Sequence, residues 1–147
     1  MKKIAIGCDH AGYHFKTLIA EFLTTNHYTV IDKGTNSSDS VDYPDYAKSV
    51  GESVSTGDAD LGILVCGSGI GVSIVANKIR GCRAALCLDV KMAEMSKLHN
   101  NANILCLGER LTEEADLIPI VEKWLNTEFE GGRHQRRVDK IHDLTGC

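Results

Sequence analysis

Short apolar runs alternate along the entire chain with longer stretches in which apolar residues recur at helical spacing. The runs are almost continuously apolar, which is typical of parallel strands covered by helices on both faces of the sheet. They predict five strands, at residues 3–8, 28–32, 61–66, 82–88 and 103–107.

The stretches between these runs have the periodicity of amphipathic helices. Such helices are predicted at residues 15–23, 45–55, 70–79, 89–99, 112–126 and 135–144. Pro119 should kink or restart the helix in which it lies, because it removes a backbone donor. The regular alternation predicts a single α/β domain over residues 1–147: a three-layer α/β/α, Rossmann-like fold with a five-stranded parallel sheet and a C-terminal helix.

Composition and charge narrow the classes of function. A chain of 147 residues that is 43% hydrophobic and 24% charged has the character of one ordinary globular domain. Its net charge of −4 gives no overall positive field for nucleic acid, and glycines interrupt the longest uncharged run, at 61–77. Too few apolar residues precede Asp9 for a signal peptide. We therefore expect a cytoplasmic protein that binds neither nucleic acid nor membranes.

The six cysteines include no Cys-x-x-Cys pair, and five of them lie within or at the ends of apolar runs. This pattern favours reduced thiols in a core over disulfides. No set of His, Cys, Asp or Glu residues has the sequence spacing of metal ligands, so we expect no metal site.

The carboxyl ends of the strands are where open parallel sheets bind ligands. Four polar clusters follow predicted elements, and we expect them to share this edge of the sheet. They are residues 8–12, 66–71, 99–101 and 108–110.

One of these clusters, Gly67-Ser68-Gly69-Ile70-Gly71, leads from a buried strand into a helix. Its glycines permit a tight turn whose amide groups converge, so the turn can hold an anion. A strand–helix connector without a ligand is the alternative. A dinucleotide fingerprint with Asp89 as the ribose-binding acid is disfavoured, because Val72 and Ile74 stand where the GxGxxG pattern requires glycine.

Cys66 directly precedes this turn, where backbone donors at a helix N-terminus favour a thiolate that can act as a base or a nucleophile. The alternative is one more buried cysteine, which is our expectation for the other core cysteines. Asp9, His10 and His99 supply titratable groups that can move protons.

Two arginines of the tail, Arg133 and Arg137, share one face of the predicted C-terminal helix. Their forked donors suit a phosphate. A solvated basic helix end would have the same pattern.

Several segments, in order, resemble the type B ribose-5-phosphate isomerases, members of the ribose/galactose isomerase family. They are GCDHAG at 7–12, DYPDY at 42–46, CGSGIG at 66–71, Asn77-Lys78, His99-Asn100 and EGGRHQ at 130–135. The resemblance covers essentially the whole chain. It implies a Rossmann-like homodimer without cofactor whose active sites lie between subunits, with a tetramer as the alternative assembly.

The implied reaction is the aldose–ketose isomerisation of D-ribose 5-phosphate and D-ribulose 5-phosphate through an enediolate. The resemblance makes Cys66 the base, His99 the ring-opening acid/base and Ser68 a donor to the enediolate oxygen. Sugar and anion positions fall on Asp9, His10, Gly67, Ser68, Gly69, Ile70, Gly71 and Asn100, and phosphate positions on Arg110, Arg133 and Arg137. One branch of the family uses a glutamate where this chain has Val72, which leaves Cys66 as the candidate base.

Other functions fit the same residues. Related enzymes act on allose 6-phosphate or galactose 6-phosphate, and the motifs do not separate these substrates cleanly. A nucleotide-binding oxidoreductase and a phosphate-binding module without catalytic activity are the further alternatives.

Overall fold

Strands and helices alternate as the apolar pattern predicts, in a computed structural model that describes all 147 residues. The strands are β1 (Lys3–Cys8), β2 (Thr29–Asp32), β3 (Leu61–Cys66), β4 (Ala84–Leu86) and β5 (Ile104–Gly108). The α-helices are α1 (Tyr13–Thr25), α2 (Tyr43–Thr56), α3 (Ile70–Ala76), α4 (Val90–Asn100), α5 (Glu114–Asn126) and α6 (Arg133–Thr145). A short 3₁₀ turn, His10–Gly12, joins β1 to α1. None of the helices has both the length and the apolar character that crossing a membrane requires.

The five strands form one parallel sheet in the order β2-β1-β3-β5-β4. The chain places β2 on one side of β1 and β3 on the other, so a crevice opens between the carboxyl ends of β1 and β3. Cys8 pairs with Val65 in the register of β1 and β3, and Cys66 pairs with Gly108 in the register of β3 and β5. The loops that follow these three strands therefore begin at one level.

The sheet is covered on both faces, which explains why its strands are almost continuously apolar. Along β3, Ile63 and Val65 pack into a core with α1 and α5, where Trp124 is fully buried. Leu64 and Cys66 point to the opposite face and pack with α2 and α3. Cys66 is thus the last residue of its strand and faces the α2–α3 layer.

Two elements, β4 and α3, are shorter than the sequence predicts by at least three residues. β4 covers Ala84–Leu86 instead of residues 82–88, because it is an edge strand that pairs only with β5. α3 ends at Ala76 instead of continuing to residue 79. The Asn77 side chain explains this end: its Nδ2 donates to the Ala84 carbonyl at 2.9 Å, and its Oδ1 accepts from the Ala84 amide at 2.8 Å.

α5 runs through Pro119 as one helix, so of the two predicted outcomes, a kink or a restart, the restart is wrong. Proline in the second turn removes one intrahelical hydrogen bond. Its neighbours Leu117, Ile120 and Val121 are fully buried against the sheet and hold the helix in place.

Candidate functional site

A cleft of about 510 Å³ opens at the carboxyl ends of β1 and β3. Asp9, Cys66, Ser68 and Arg110 line it, together with Tyr43 from the start of α2. We call it the thiol cleft. Three of the four clusters that the sequence assigned to this edge meet here, namely those that follow β1, β3 and β5.

The Cys66 sulfur is held by the loop that follows it. Its Sγ accepts a hydrogen bond from the amide of Gly69 at 3.1 Å, and the side chain is 4% exposed. Gly69 has φ +75°, and a Cβ there would lie 2.8 Å from the carbonyl carbon of Leu107. Only glycine fits this position, and the backbone it permits directs an N–H at the sulfur.

The other core cysteines are in surroundings that keep them protonated. Burial raises the pKa of Cys8 and of Cys87 to about 11. Burial also raises the pKa of Cys82, and it raises that of Cys106 well above the ordinary value. These four thiols are neutral at physiological pH and pack in the core, as the apolar runs predict.

Ser68 is placed to donate a hydrogen bond into the cleft. Its Oγ accepts from the Ile70 amide at 3.2 Å, at the start of α3, which leaves the hydroxyl hydrogen available. Gly108 lies directly behind this turn, since a Cβ there would be 2.6 Å from the Ser68 carbonyl oxygen. The end of β5 therefore fixes the position of the Ser68 backbone.

Asp9 and His10 shape the β1 side of the site. The Asp9 carboxylate is 7% exposed and accepts from the amides of Ala11 and Gly12 at 3.0 and 3.2 Å. The Val41 amide donates to Nδ1 of His10 at 3.1 Å. Nδ1 is thus an acceptor, and a neutral His10 carries its proton on Nε2, where it can donate to a ligand.

Arg110 and Tyr43 cover two glycines of the loop. A Cβ at Gly67 would lie 3.0 Å from Nη1 of Arg110, and a Cβ at Gly71 would lie 2.6 Å from the Tyr43 ring. Arg110 forms no ion pair with a carboxylate, so its charge is free for an anionic ligand. No role was predicted for Tyr43, although the DYPDY segment that contains it could have indicated one.

His99 and Asn100 do not reach the thiol cleft within one protomer, so the expectation that residues 99–101 share its edge is wrong. α4 starts beyond β4 and runs back to the amino ends of the strands, where the Asn100 carbonyl accepts from Arg83 at 3.2 Å. The register places Ile104 beside Gly62, at the other end of the strands from the Cys66–Gly108 pair. At about 3.3 Å per residue, the two edges are roughly 13 Å apart.

At this opposite edge, His99 belongs to a cluster with Glu130 and His134, which we call the histidine cluster. The two imidazole rings stack with centroids 4.3 Å apart and planes at 15°. Oε2 of Glu130 lies 3.7 Å from Nε2 of His99 and 3.8 Å from Nε2 of His134. Burial, and then the neighbouring His99, lower the pKa of His134.

The two tail arginines stand on the same side as the histidine cluster. Arg133 and Arg137 are exposed in the first two turns of α6 and flank His134 in sequence. The three predicted phosphate arginines are therefore divided, with Arg110 in the thiol cleft and the other two beside His99. No role was predicted for Glu130 or His134, because they meet His99 only when α4 and α6 pack together.

Comparisons with known proteins agree with this fold and with the order of the motifs. The model of the family described as Ribose/Galactose Isomerase matches residues 4–141. Ribose-5-phosphate isomerase B of Escherichia coli K12 is 48% identical over 141 residues, which is 96% of this chain and 95% of the relative.

Two solved structures show the same architecture. Ribose-5-phosphate isomerase B of Clostridium thermocellum has a TM-score of 0.96 at 51% identity, with 98% of this chain and 97% of that chain covered. The Mycoplasma genitalium enzyme, solved with bound ribulose-5-phosphate, has a TM-score of 0.94 at 45% identity, with 98% and 96% covered. Together with the family match along almost the whole chain, these likenesses establish that the protein belongs to the ribose/galactose isomerase family.

Proposed function

We propose that this protein interconverts D-ribose 5-phosphate and D-ribulose 5-phosphate through an enediolate, with Cys66 as the base. The observation that carries the proposal is the position of the Cys66 sulfur, at the switch point of the sheet, in an open cleft and held by the Gly69 amide. The sugar phosphate bound to the similar M. genitalium enzyme supports the choice of substrate.

The isomerisation moves one proton between C2 and C1 of the open-chain sugar. The Cys66 thiolate takes the proton from C2 of the aldose, and the electron pair of the broken bond enters the C1–C2 enediolate. A proton passes from O2 to O1, the resulting thiol returns its proton to C1, and the electron pair left on O2 forms the carbonyl at C2. Ser68 and the loop amides that are not already bonded to Cys66 Sγ or Ser68 Oγ donate to the enediolate oxygen, and each such donor typically contributes about 3 kcal/mol of transition-state stabilisation.

We propose further that the working site is built by two protomers. His99 lies at the opposite edge from Cys66, so the cleft of one chain has no ring-opening acid/base of its own. A second copy can supply it, together with Arg133 and Arg137. In a twofold dimer the same contact forms twice and gives two equivalent sites.

Exposed apolar side chains at the rim of the cleft support this assembly. Ile70, Ile74 and Leu111 are 49%, 54% and 56% exposed, and all three line the thiol cleft. Large apolar side chains grouped at the rim of a polar site are typical of an interface. A homodimer that covers this rim explains both their exposure and the division of the site; a tetramer remains the alternative assembly.

The reaction is tested by one coupled assay with ribose 5-phosphate, allose 6-phosphate and galactose 6-phosphate. We expect the highest kcat/KM with ribose 5-phosphate. A higher value with either six-carbon substrate would replace the pentose assignment. Saturable binding of NAD, which the positions of Val72 and Ile74 argue against, would favour an oxidoreductase instead.

We also propose that the protein works in the cytoplasm. All six cysteines are free, and five of them are buried, four in packed cores with raised pKa values. Thiols kept reduced in this way are typical of proteins in a reducing compartment.

Replacing Arg137 with alanine should raise KM for ribose 5-phosphate by about ten- to a hundredfold, because a charged hydrogen bond to phosphate contributes about 1.5–3 kcal/mol. Steady-state kinetics measures this effect. Arg136→Ala is the matched control, since Arg136 is an exposed arginine on the opposite side of α6 from the buried His134 and Val138. Equal KM values in the two variants would mean that the tail arginines form only a solvated basic helix end and do not bind the phosphate.

Turnover should survive exhaustive treatment with EDTA, because the proposed base and oxyanion donor are protein groups that need no Lewis acid. The measurement is kcat before and after chelation and gel filtration. Loss of activity that returns on addition of a divalent metal would contradict the proposed mechanism.

A further inference from the structure

The histidine cluster has the geometry of a partly assembled metal site. One ring nitrogen of His99, one ring nitrogen of His134 and a carboxylate oxygen of Glu130 all lie within 4.8 Å of one another. Zinc bonds of about 2.1 Å in a tetrahedron place two ligand atoms about 3.4 Å apart. The observed separations of 3.7 and 3.8 Å from the Glu130 oxygen are only slightly longer. Glu130 is exposed and His99 is partly exposed, so both can move; because the two rings are stacked with planes at 15°, the His99 ring must turn out of the stack before both nitrogen lone pairs can meet at one ion.

His134 gives a second, independent indication that a ligand belongs here. The residue is 6% exposed, and its Nε2 is buried without a hydrogen-bond partner. The 3.8 Å to Glu130 is too long for a hydrogen bond. A buried nitrogen in this state costs free energy unless a partner occupies the space beside it. Because this nitrogen lies 3.8 Å from the Glu130 oxygen, a metal ion held by Glu130 would give it a partner.

The donor set selects the kind of ion. Two imidazole nitrogens and one carboxylate oxygen are typical of zinc sites that keep a fourth position open, and they also suit Co²⁺ and Ni²⁺. Mg²⁺ and Ca²⁺ prefer a shell of oxygen ligands, which this cluster lacks. Arg133 and Arg137 lie near the cluster, and their positive charges limit its affinity for a cation.

We propose that His99, Glu130 and His134 form a binding site for a borderline divalent metal such as Zn²⁺, and that its occupation inhibits the enzyme. The inhibition rests on the proposed function: a metal ion bound to Nε2 of His99 occupies the lone pair that this residue needs to accept a proton. The metal has no part in turnover. It is a reversible block of the ring-opening residue, held by two side chains that the reaction does not use as acid or base.

Binding is measured first, without reference to activity. The full-length protein is titrated with Co²⁺, whose visible absorption becomes intense in a tetrahedral site with nitrogen and oxygen ligands. We expect a saturable signal at one ion per chain that Zn²⁺ displaces. Glu130→Gln and His134→Asn should each weaken Co²⁺ binding by at least about tenfold, the effect expected for the loss of one ligand.

Two controls separate ligation from indirect effects. His14→Asn removes a histidine paired with a single carboxylate, Glu114, which lacks a second imidazole; it should bind Co²⁺ like the wild type. Because Glu130 is exposed, Glu130→Gln tests the site even where loss of the buried His134 disturbs the fold. Absence of the visible signal, or a signal unchanged in Glu130→Gln, would overturn the proposal.

Inhibition is measured on the same samples. Zn²⁺ should inhibit the wild type and EDTA should restore it, while Glu130→Gln should need at least about tenfold more Zn²⁺ for the same fractional loss. Equal inhibition of Glu130→Gln would place the inhibitory ion elsewhere, for example on Cys66, where Co²⁺ would give a thiolate charge-transfer band. Co²⁺ binding without any isomerase activity would refute the proposed function and leave the metal site in place.

Discussion

Cys66→Ala should reduce turnover of ribose 5-phosphate by at least about a thousandfold, because it removes the group that transfers the proton between C1 and C2. The phosphate contacts remain, so inorganic phosphate should still raise the melting temperature of the variant as it does that of the wild type. The decisive measurement is exchange of the C1 proton of ribulose 5-phosphate with deuterated water, which we expect to disappear. This separates loss of the base from loss of binding.

The other cysteines provide matched controls for the loss of a buried sulfur. Cys8→Ala and Cys106→Ala remove fully buried thiols whose pKa values burial raises, and they should lower stability by about 1 kcal/mol with little change in kcat. Substantial turnover in Cys66→Ala would show that another group is the base.

His99→Asn should separate two steps of the reaction. Ribose 5-phosphate is mainly a closed ring, whereas ribulose 5-phosphate, with its C5 oxygen esterified, cannot close a furanose. If His99 moves the proton between O1 and the ring oxygen, the variant should slow single turnover from ribose 5-phosphate by about a hundredfold or more. Exchange of the C1 proton of ribulose 5-phosphate should be nearly unaffected, since it needs only Cys66 and the oxyanion donors.

His27→Asn is the control for this substitution. His27 is exposed at the end of α1 with φ 65°, a conformation that asparagine tolerates, so this variant should match the wild type in both assays. Equal losses in ring opening and in exchange for His99→Asn would contradict the division of labour between Cys66 and His99.

The thiol cleft could be predicted from sequence because its parts are local. A continuously apolar run ends at Cys66, and a glycine-rich turn and a helix follow. Adjacent residues therefore predict both the end of the strand and the loop after it. Open parallel sheets bind ligands at the carboxyl ends of their strands, so Asp9 and Arg110 were expected at the same edge as Cys66. Strand order was not needed for this conclusion, since all parallel strands share that edge.

The position of His99 was mispredicted for a topological reason. A helix between two parallel strands must return the chain to the amino edge before the next strand begins. The end of α4 therefore lies away from Cys66, and the edge rule holds only for residues that directly follow a strand. The histidine cluster could not be predicted from spacing, because Glu130 and His134 meet His99 only through the packing of α6 against α4.

The central claim, a site shared between two protomers, is tested most directly by a heterodimer of Cys66→Ala and His99→Asn chains. The two chains are co-expressed with different tags and purified through both, so that every dimer contains one of each. One of its two sites then combines the intact Cys66 of one protomer with the intact His99 of the other. We predict about half the wild-type turnover of ribose 5-phosphate per dimer, although each parent homodimer is nearly inactive. A heterodimer as inactive as its parents, or failure of the two chains to copurify, would contradict the shared site.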